Sequence, residues 1–286
     1  MMLKPGCVSP DILPTVFRRS FVSLLAALLL ASAAGAQAPK SLRLFVFDGG
    51  SLNIPDTSPY RLKKEDLATT YMSVACFLVV HPKGTLIWDA GAVPDGAGTI
   101  RYATATKTLR SQLGQVGYAP TDITYLALSH FHWDHVGNAN LFAGSTWLVT
   151  QAERDIMFSS PPSPRTEPQN YSALKNSKTV ILTQSEYDVF GDGTVVIMAA
   201  PGHSPGHQVL FLKLPKTGPV MLSGDLYHYP EERKLNLVPT TEFNAEQTVA
   251  SRAAVEAFLK KTGAQLWIQH DFNANAKLRK APGFYE

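Results

Sequence analysis

The chain has 286 residues, of which 45% are hydrophobic and 17% are charged, and its formal net charge is +3 at pH 7. This composition is ordinary for a globular protein with one sizeable core. So small a charge surplus argues against nucleic acid and against an anionic membrane surface as partners, because both attract strongly basic proteins.

The first 36 residues predict a secretory signal peptide. Arg18 and Arg19 precede an apolar run at 21–30, and small residues continue to Ala36, which is the order of a positive region, a hydrophobic region and an A-x-A-like cleavage site. The alternative is a membrane anchor, but the run is shorter than the roughly 20 apolar residues of a span. We expect a periplasmic or secreted mature chain of residues 37–286, not bound to a membrane.

Apolar runs separated by Gly, Pro and Asn predict an alternation of strands with a few helices. Cys76 lies in one such run and is expected in the core, without a disulfide partner in the mature chain. The stretch 159–177 is rich in proline and serine, and is either a wall or lid of a substrate pocket or a solvated loop. Strands are expected at 42–47, 74–80, 85–91, 123–128, 145–149, 194–200, 208–214, 220–225 and 265–271, and helices at 102–116, 151–158 and 245–261. The last helix is expected to be amphipathic, with Val249, Ala253, Val255 and Phe258 on its apolar side.

The densest group of chemically active residues follows the strand at 123–128. Alternate residues of an extended chain point the same way, so His130 and His132 face one point. Asp134 and His135 follow the bend and face a second point close by. Imidazole and carboxylate ligands suit zinc, iron, manganese or cobalt rather than calcium.

Three more strand ends carry candidate ligands, namely His203, Asp225 and His270. Strand ends that converge on one edge of a sheet are where such folds build their sites. Seven ligands exceed the four of one tetrahedral zinc, so two zinc ions, or two ions of iron, manganese or cobalt, are expected. The assignment is His130, His132 and His203 to one metal, Asp134, His135 and His270 to the other, and Asp225 between them.

Three further polar residues are not assigned as metal ligands. His207 exceeds the ligand count and is expected to support or pack against the site. Asp89, at the end of a strand, either orients a ligand histidine or caps a turn. His81 lies in a turn and is expected to be solvated.

The spaced motifs resemble those of the metallo-β-lactamase superfamily: His-x-His-x-Asp-His at 130–135, Pro-Gly-His at 201–203, Gly-Asp at 224–225, and His270. The resemblance runs from about Leu42 to the C-terminus and is strongest to the N-acyl homoserine lactonases. It implies an α+β fold, the four-layer αββα sandwich, as a single catalytic domain. It also implies a dinuclear site at one edge.

The resemblance further implies that a metal-bridging hydroxide, held near Asp225 and Asp134, opens the ring of an N-acyl homoserine lactone. Asp134 would pass the proton to the leaving oxygen. Those lactonases place a tyrosine three residues after the bridging aspartate, where this chain has His228. Tyr227 and Tyr229 flank it, and Tyr227 or His228 is expected to contact the substrate carbonyl.

Other functions stay open at this point. An exported organophosphate hydrolase, or another ester or β-lactam hydrolase, would use the same metal site. A glutathione thioesterase would need a compact basic patch near the motifs, which the sequence lacks, and a metal-binding module without turnover would not need both aspartates. A homodimer is possible. Candidates for an apolar channel that would hold an acyl chain are Tyr71, Met72, Phe131, Trp133, Met157 and Phe158.

Overall fold

The structure is a computed structural model that describes residues 1, 2, 6 and 40–286. The chain divides into two units, Met1–Gly35 and Ala36–Glu286, and every described helix and strand belongs to the second. The expected signal peptide falls almost wholly outside the described residues, so it stays a prediction. Among the helices that are described, none has the length and hydropathy that crossing a membrane requires.

Two β-sheets form the centre of the second unit. The first has the order β4-β5-β1-β2-β3-β6-β7-β8, with β14 also paired to β1, and the second has the order β13-β12-β11-β10-β9. In chain order the strands are β1 (Arg43–Asn53), β2 (Tyr71–His81), β3 (Gly84–Trp88), β4 (Thr99–Ile100), β5 (Ala103–Thr104), β6 (Tyr125–Ala127), β7 (Thr146–Thr150), β8 (Thr179–Leu182), β9 (Glu186–Asp188), β10 (Val195–Ala199), β11 (Gln208–Leu214), β12 (Gly218–Leu222), β13 (Gln265–Trp267) and β14 (Phe284–Tyr285).

Helices cover the outer faces of both sheets. The helices are α1 (Leu109–Gln115), α2 (Gln151–Met157), α3 (Pro168–Tyr171), α4 (Pro230–Leu235), α5 (Ala245–Thr262) and α6 (Phe272–Lys277). Alternation along β1 shows the layering: Phe45 and Phe47 belong to the core shared with α1 and α2, whereas Leu44 and Val46 belong to the core between the sheets. Helix α5 packs Val255 onto the outer face of the second sheet. The expected αββα sandwich is confirmed.

Several expected elements differ from the observed ones. The expected helix 102–116 begins only at Leu109, because the short β4–β5 hairpin occupies the residues before it. Strand β1 continues to Asn53 through an irregularity, and Gly49 is needed there because a Cβ would come within 2.7 Å of the Cys76 sulfur. Cys76 is buried, as expected. The stretch 159–177 is not structureless, since it contains α3.

Two expectations about burial are wrong. Val249 was expected on the apolar face of α5 but is 53% exposed, because that helix buries the polar residues Thr248 and Arg252 instead. His81 was expected in solvent but is buried, stacked on Phe190 and hydrogen-bonded to Asp192 at 2.9 Å. The orientation of helix α5 and that of the His81 ring are both set by polar partners distant in the chain, which no local sequence pattern predicts.

Candidate metal centre

The polar residues predicted from the strand ends meet at one edge of the sandwich. Strands β3 and β6 end side by side, since the Asp89 N–H donates to the Ala127 carbonyl at 3.0 Å. Beyond β6 the chain leaves the sheet and carries the first histidine motif. Strands β10, β12 and β13 of the second sheet end at the same edge, which brings His203, Asp225 and His270 opposite that motif.

All seven expected ligands are buried, and they form two groups. The first contains His130, His132, His203 and Asp225, and the second contains Asp134, His135 and His270. Within each group, one ligand atom from every member lies within 4.8 Å of the others. The five histidines and Asp134 divide as the sequence predicts, whereas Asp225 was expected between the two groups.

The carboxylate of Asp225 lies between the two groups. Its Oδ1 is 3.0 Å from His270 Nε2 and 3.1 Å from His135 Nε2. Its Oδ2 is 3.3 Å from His203 Nε2 and 3.5 Å from His130 Nε2. Each oxygen therefore faces one half of the cluster, which is the arrangement of a bridging ligand.

Hydrogen bonds on the far side of three rings set which nitrogen faces the cluster. His135 Nδ1–H donates to Asp89 Oδ2 at 2.9 Å, and His203 Nδ1–H donates to Glu242 Oε1 at 3.1 Å. His270 Nδ1–H donates to a backbone carbonyl at 2.7 Å. These partners assign the tautomers and leave each Nε2 lone pair directed inward.

Asp89 is the most connected of these supporting residues. It accepts the backbone N–H of Ser129 at 2.5 Å and the side-chain amide of Gln269 at 2.7 Å, besides the His135 ring. Its backbone is left-handed, with φ of 59°, which is uncommon for a residue other than glycine. Asp89 therefore orients His135, and the turn-capping alternative is set aside.

His207 lies behind the cluster. Its Nδ1–H donates to the Ala200 carbonyl at 3.0 Å, and its Nε2 accepts the backbone N–H of Asp225 at 3.0 Å. Gly224 permits this approach, since a Cβ there would come within 2.7 Å of the ring. His207 thus holds the backbone of Asp225, in agreement with the supporting role expected for it.

The chemistry of the donor atoms fits a pair of divalent cations. His135 Nε2 and Asp225 Oδ1 are buried and make no hydrogen bond. His132 Nδ1 lies 2.8 Å from His130 Nε2 and 2.9 Å from His203 Nε2, so these three nitrogens converge on one point. Burial, followed by a neighbouring histidine, lowers the pKa of both His130 and His132 well below the usual value, so these rings stay neutral and able to bind metal.

The cluster forms the floor of a cavity of about 420 Å³. Sequence reasoning found Met72, Trp133 and His228 in the rest of its lining and missed the other residues, most of which come from loops without periodicity. Among 159–177, the residue that reaches the cavity is Arg165. The lining residues outside the cluster are Leu52, Ile54, Pro55, Asp56, Pro59, Tyr60, Met72, Arg101, Tyr102, Trp133, Arg165, His228 and Thr241.

The three candidate substrate contacts after Asp225 point in different directions. His228 lines the cavity, with its Nε2 3.3 Å from Asp225 Oδ2. Tyr227 faces away: its hydroxyl donates to Glu256 on α5 at 3.1 Å, and its ring lies under the Arg252 guanidinium. The expectation that Tyr227 contacts substrate disagrees with this orientation. Tyr229 is also turned away, because its hydroxyl donates to a backbone carbonyl.

Tyr60 is the tyrosine that the structure places beside His228 instead. The two ring centroids are 4.9 Å apart, and Tyr60 lines the cavity. Burial, with the negative charge of Asp134 next in importance, raises the pKa of Tyr60 well above the usual value, so its hydroxyl keeps its proton. Its place in the loop 51–72 gave no signal in the sequence.

The acyl-channel candidates are divided by the structure. Met72 and Trp133 line the cavity. Phe131 and Met157 belong to the core beneath the first sheet, and Phe158 packs against that core. Tyr71 is exposed.

The fold and the site together define a metal-dependent hydrolase of the αββα type. The family model of the metallo-beta-lactamase superfamily matches residues 69–270. The chain therefore belongs to the metallo-β-lactamase superfamily and is an enzyme of that class.

Similar proteins within the superfamily are lactonases. The N-acyl homoserine lactonase AttM of Azorhizobium caulinodans is 28% identical over 261 residues, covering 86% of this chain and 99% of that protein. An N-acyl homoserine lactonase from a Bacillus species is 28% identical over 236 residues, covering 74% and 87%. The crystal structure of a quorum-quenching N-acyl homoserine lactone lactonase superposes with a TM-score of 0.73 at 25% identity, covering 85% of this chain and 97% of that one.

Proposed function

We propose that this chain is a zinc-dependent lactonase that opens the ring of N-acyl homoserine lactones. The observation that carries the proposal is the Asp225 carboxylate, which lies between two histidine groups at the floor of an open cavity. The lactonase relatives, which align over almost their whole length, support the choice of substrate.

Seven side chains would hold the metal ions. The first ion would bind His130, His132 and His203, and the second would bind Asp134, His135 and His270, with Asp225 shared. Zinc fits a set of imidazoles and carboxylates, as do iron, manganese and cobalt. When bound, two such cations supply an activated water at neutral pH and polarise the substrate carbonyl.

Side chains of the protein would transfer the proton and orient the lactone. The Asp134 side chain is 10% exposed, more than that of Asp225, and it faces the cavity. It is placed to carry the proton of the attacking water to the ring oxygen as that oxygen leaves. His228 and Tyr60 lie together at the side of the cavity, where an N–H or O–H can donate to the carbonyl oxygen.

The cavity walls would hold the acyl group. Leu52, Ile54, Met72 and Trp133 give one apolar lining next to the metal floor. Such a surface takes methylene groups at a gain of about 0.8 kcal/mol for each one buried. The acyl chain would therefore lie along these residues, with the lactone ring on the floor.

We also propose that the enzyme is exported to the periplasm or secreted, because residues 1–36 have the pattern of a signal peptide. The mass of the protein recovered from the periplasm of an expressing bacterium tests this. A chain that begins at residue 37 is expected. Full-length protein confined to the cytoplasm would contradict export.

The lactonase proposal is tested by proton release on a pH-stat, with zinc-loaded protein and N-hexanoyl homoserine lactone. Ring opening releases one proton, and Asp225→Asn should abolish it. Asp155→Asn removes a carboxylate from the exposed side of α2 and is the matched control. If protein with two zinc ions per chain releases no proton from any lactone, the substrate is wrong, and phosphotriesters and β-lactams are the next to assay.

A further inference from the structure

The rim of the cavity carries two arginines that the lactonase proposal does not use. Arg101 and Arg165 both line the cavity, and both have left-handed backbones, with φ of 52° and 68°. Residues other than glycine rarely adopt this conformation, and when they do they are often at functional sites. The two guanidinium groups come from separate loops, so their meeting at one cavity is a feature of the tertiary structure.

Arg101 is held firmly in place. It forms an ion pair with Glu167, and its guanidinium lies 5.3 Å from the centre of the Trp133 ring. Tyr102 packs edge-on against the same ring at 5.4 Å. Because Glu167 neutralises much of its charge, Arg101 contributes mainly hydrogen-bond donors held in a fixed position on the cavity wall.

Arg165 keeps its charge available to the cavity. One nitrogen, Nη1, donates to the Thr241 carbonyl at 3.1 Å, and Thr241 also lines the cavity. Among residues 40–286, no carboxylate oxygen lies within the 4.0 Å of an ion pair with this guanidinium. A guanidinium has five N–H donors, so most of those of Arg165 are free to bind a ligand.

The lining of the cavity fixes where this charge acts. Arg165 lines the same cavity as His132 and Asp134 of the metal floor, so its guanidinium belongs to the wall above that floor. Outside the metal cluster, Asp56 is the one carboxylate among the described residues that lines the cavity, and it accepts the Ser58 N–H at 2.9 Å. Two guanidinium groups therefore line this cavity against one carboxylate outside the cluster, which suits the rim to an anion.

We infer that Arg165, supported by Arg101, binds an anionic group at the far end of the substrate, so that the preferred lactone carries an acyl chain ending in a carboxylate. This inference rests on the proposed lactonase function. The floor would hold the lactone ring, the apolar wall the methylenes, and the arginine rim the distal carboxylate through charge-assisted hydrogen bonds.

The test compares N-adipoyl with N-hexanoyl homoserine lactone, which differ only in a terminal carboxylate in place of a methyl group. We expect kcat/KM to favour the adipoyl substrate by roughly fivefold, the upper value for one exposed charged pair. Arg165→Gln should lower kcat/KM for the adipoyl substrate roughly fivefold more than for the hexanoyl substrate. Arg110→Gln removes the same charge from the exposed face of α1 and should change neither value.

A binding measurement separates this inference from the lactonase proposal. The ring-opened products, N-adipoyl- and N-hexanoyl-homoserine, are titrated into zinc-loaded wild-type and Arg165→Gln protein by calorimetry. Tighter binding of the adipoyl product that disappears in Arg165→Gln supports the anion subsite, even if neither lactone is opened and the lactonase proposal fails. Equal affinities for the two products, or a preference that survives in Arg165→Gln, would overturn the subsite whatever the enzyme hydrolyses.

Discussion

The floor and the rim of the cavity are built in different ways. On the floor, the seven clustered side chains are buried and stand at the ends of strands, and three of their rings are fixed from behind by Asp89, Glu242 and a backbone carbonyl. On the rim, Tyr102 is 43% exposed and Arg101 and Arg165 stand on loops. Rigid strand ends hold chemistry in place, whereas loops can change without unfolding the core.

This difference assigns separate tasks to the two regions. Substitutions on the floor should remove turnover for every substrate, because all would use the same ligands. Substitutions on the rim should change which substrate is preferred and leave metal binding intact. Three experiments test this division, in order of decreasing effect.

The largest effect is expected for Asp134→Asn. Loss of a proton carrier of this kind lowers kcat by about 10²- to 10⁴-fold, and zinc content should be measured in the same samples. The control is Asp155→Asn, which removes a carboxylate from α2. Wild-type kcat in an Asp134→Asn protein that still contains two zinc ions would contradict the role of Asp134.

An intermediate effect is expected for Asp89→Asn, which removes the charge behind His135. Burial opposes a proton on His135, but the carboxylates of Asp225 and Asp89 outweigh it and raise the pKa of that ring well above the usual value. Losing such a partner weakens metal binding by about 10- to 100-fold. Competition with a chromophoric chelator measures this.

Tyr60→Phe and Tyr227→Phe form a matched pair for the smallest effect, because each removes one hydroxyl. We expect Tyr60→Phe to lower kcat/KM by about tenfold, the value of one hydrogen bond to the substrate carbonyl. Tyr227→Phe should leave kcat/KM within about twofold and instead lower the free energy of unfolding by about 1 kcal/mol, through loss of the bond to Glu256.

If Tyr227→Phe lowered kcat/KM and Tyr60→Phe did not, the substrate contact would lie on the α5 side of His228. Thermal unfolding of both variants keeps the comparison sound, since it shows whether a lower rate reflects a damaged fold. Equal zinc content in the two proteins shows whether the floor is intact.

Local sequence patterns were sufficient to predict the floor of the site and the class of fold. Four apolar runs end in histidine or aspartate, and a strand that leaves a sheet must place its next residues at the sheet edge, so local patterns were enough to group His130 with His203 and His135 with His270. The same patterns placed β11 at its observed bounds, Gln208–Leu214.

The rim and the supporting contacts depend on tertiary packing, which local sequence patterns do not encode. Tyr60 ends a single 3-10 turn, and Arg101 and Arg165 stand in loops, where no periodicity predicts which way a side chain points. Adjacent residues of the extended chain at Tyr227 and His228 face opposite sides, and only the packing of α5 shows which of them enters the cavity. The metal ligands can be identified from the residue types at strand ends. The direction of a loop side chain, in contrast, is set by partners that are distant in the chain.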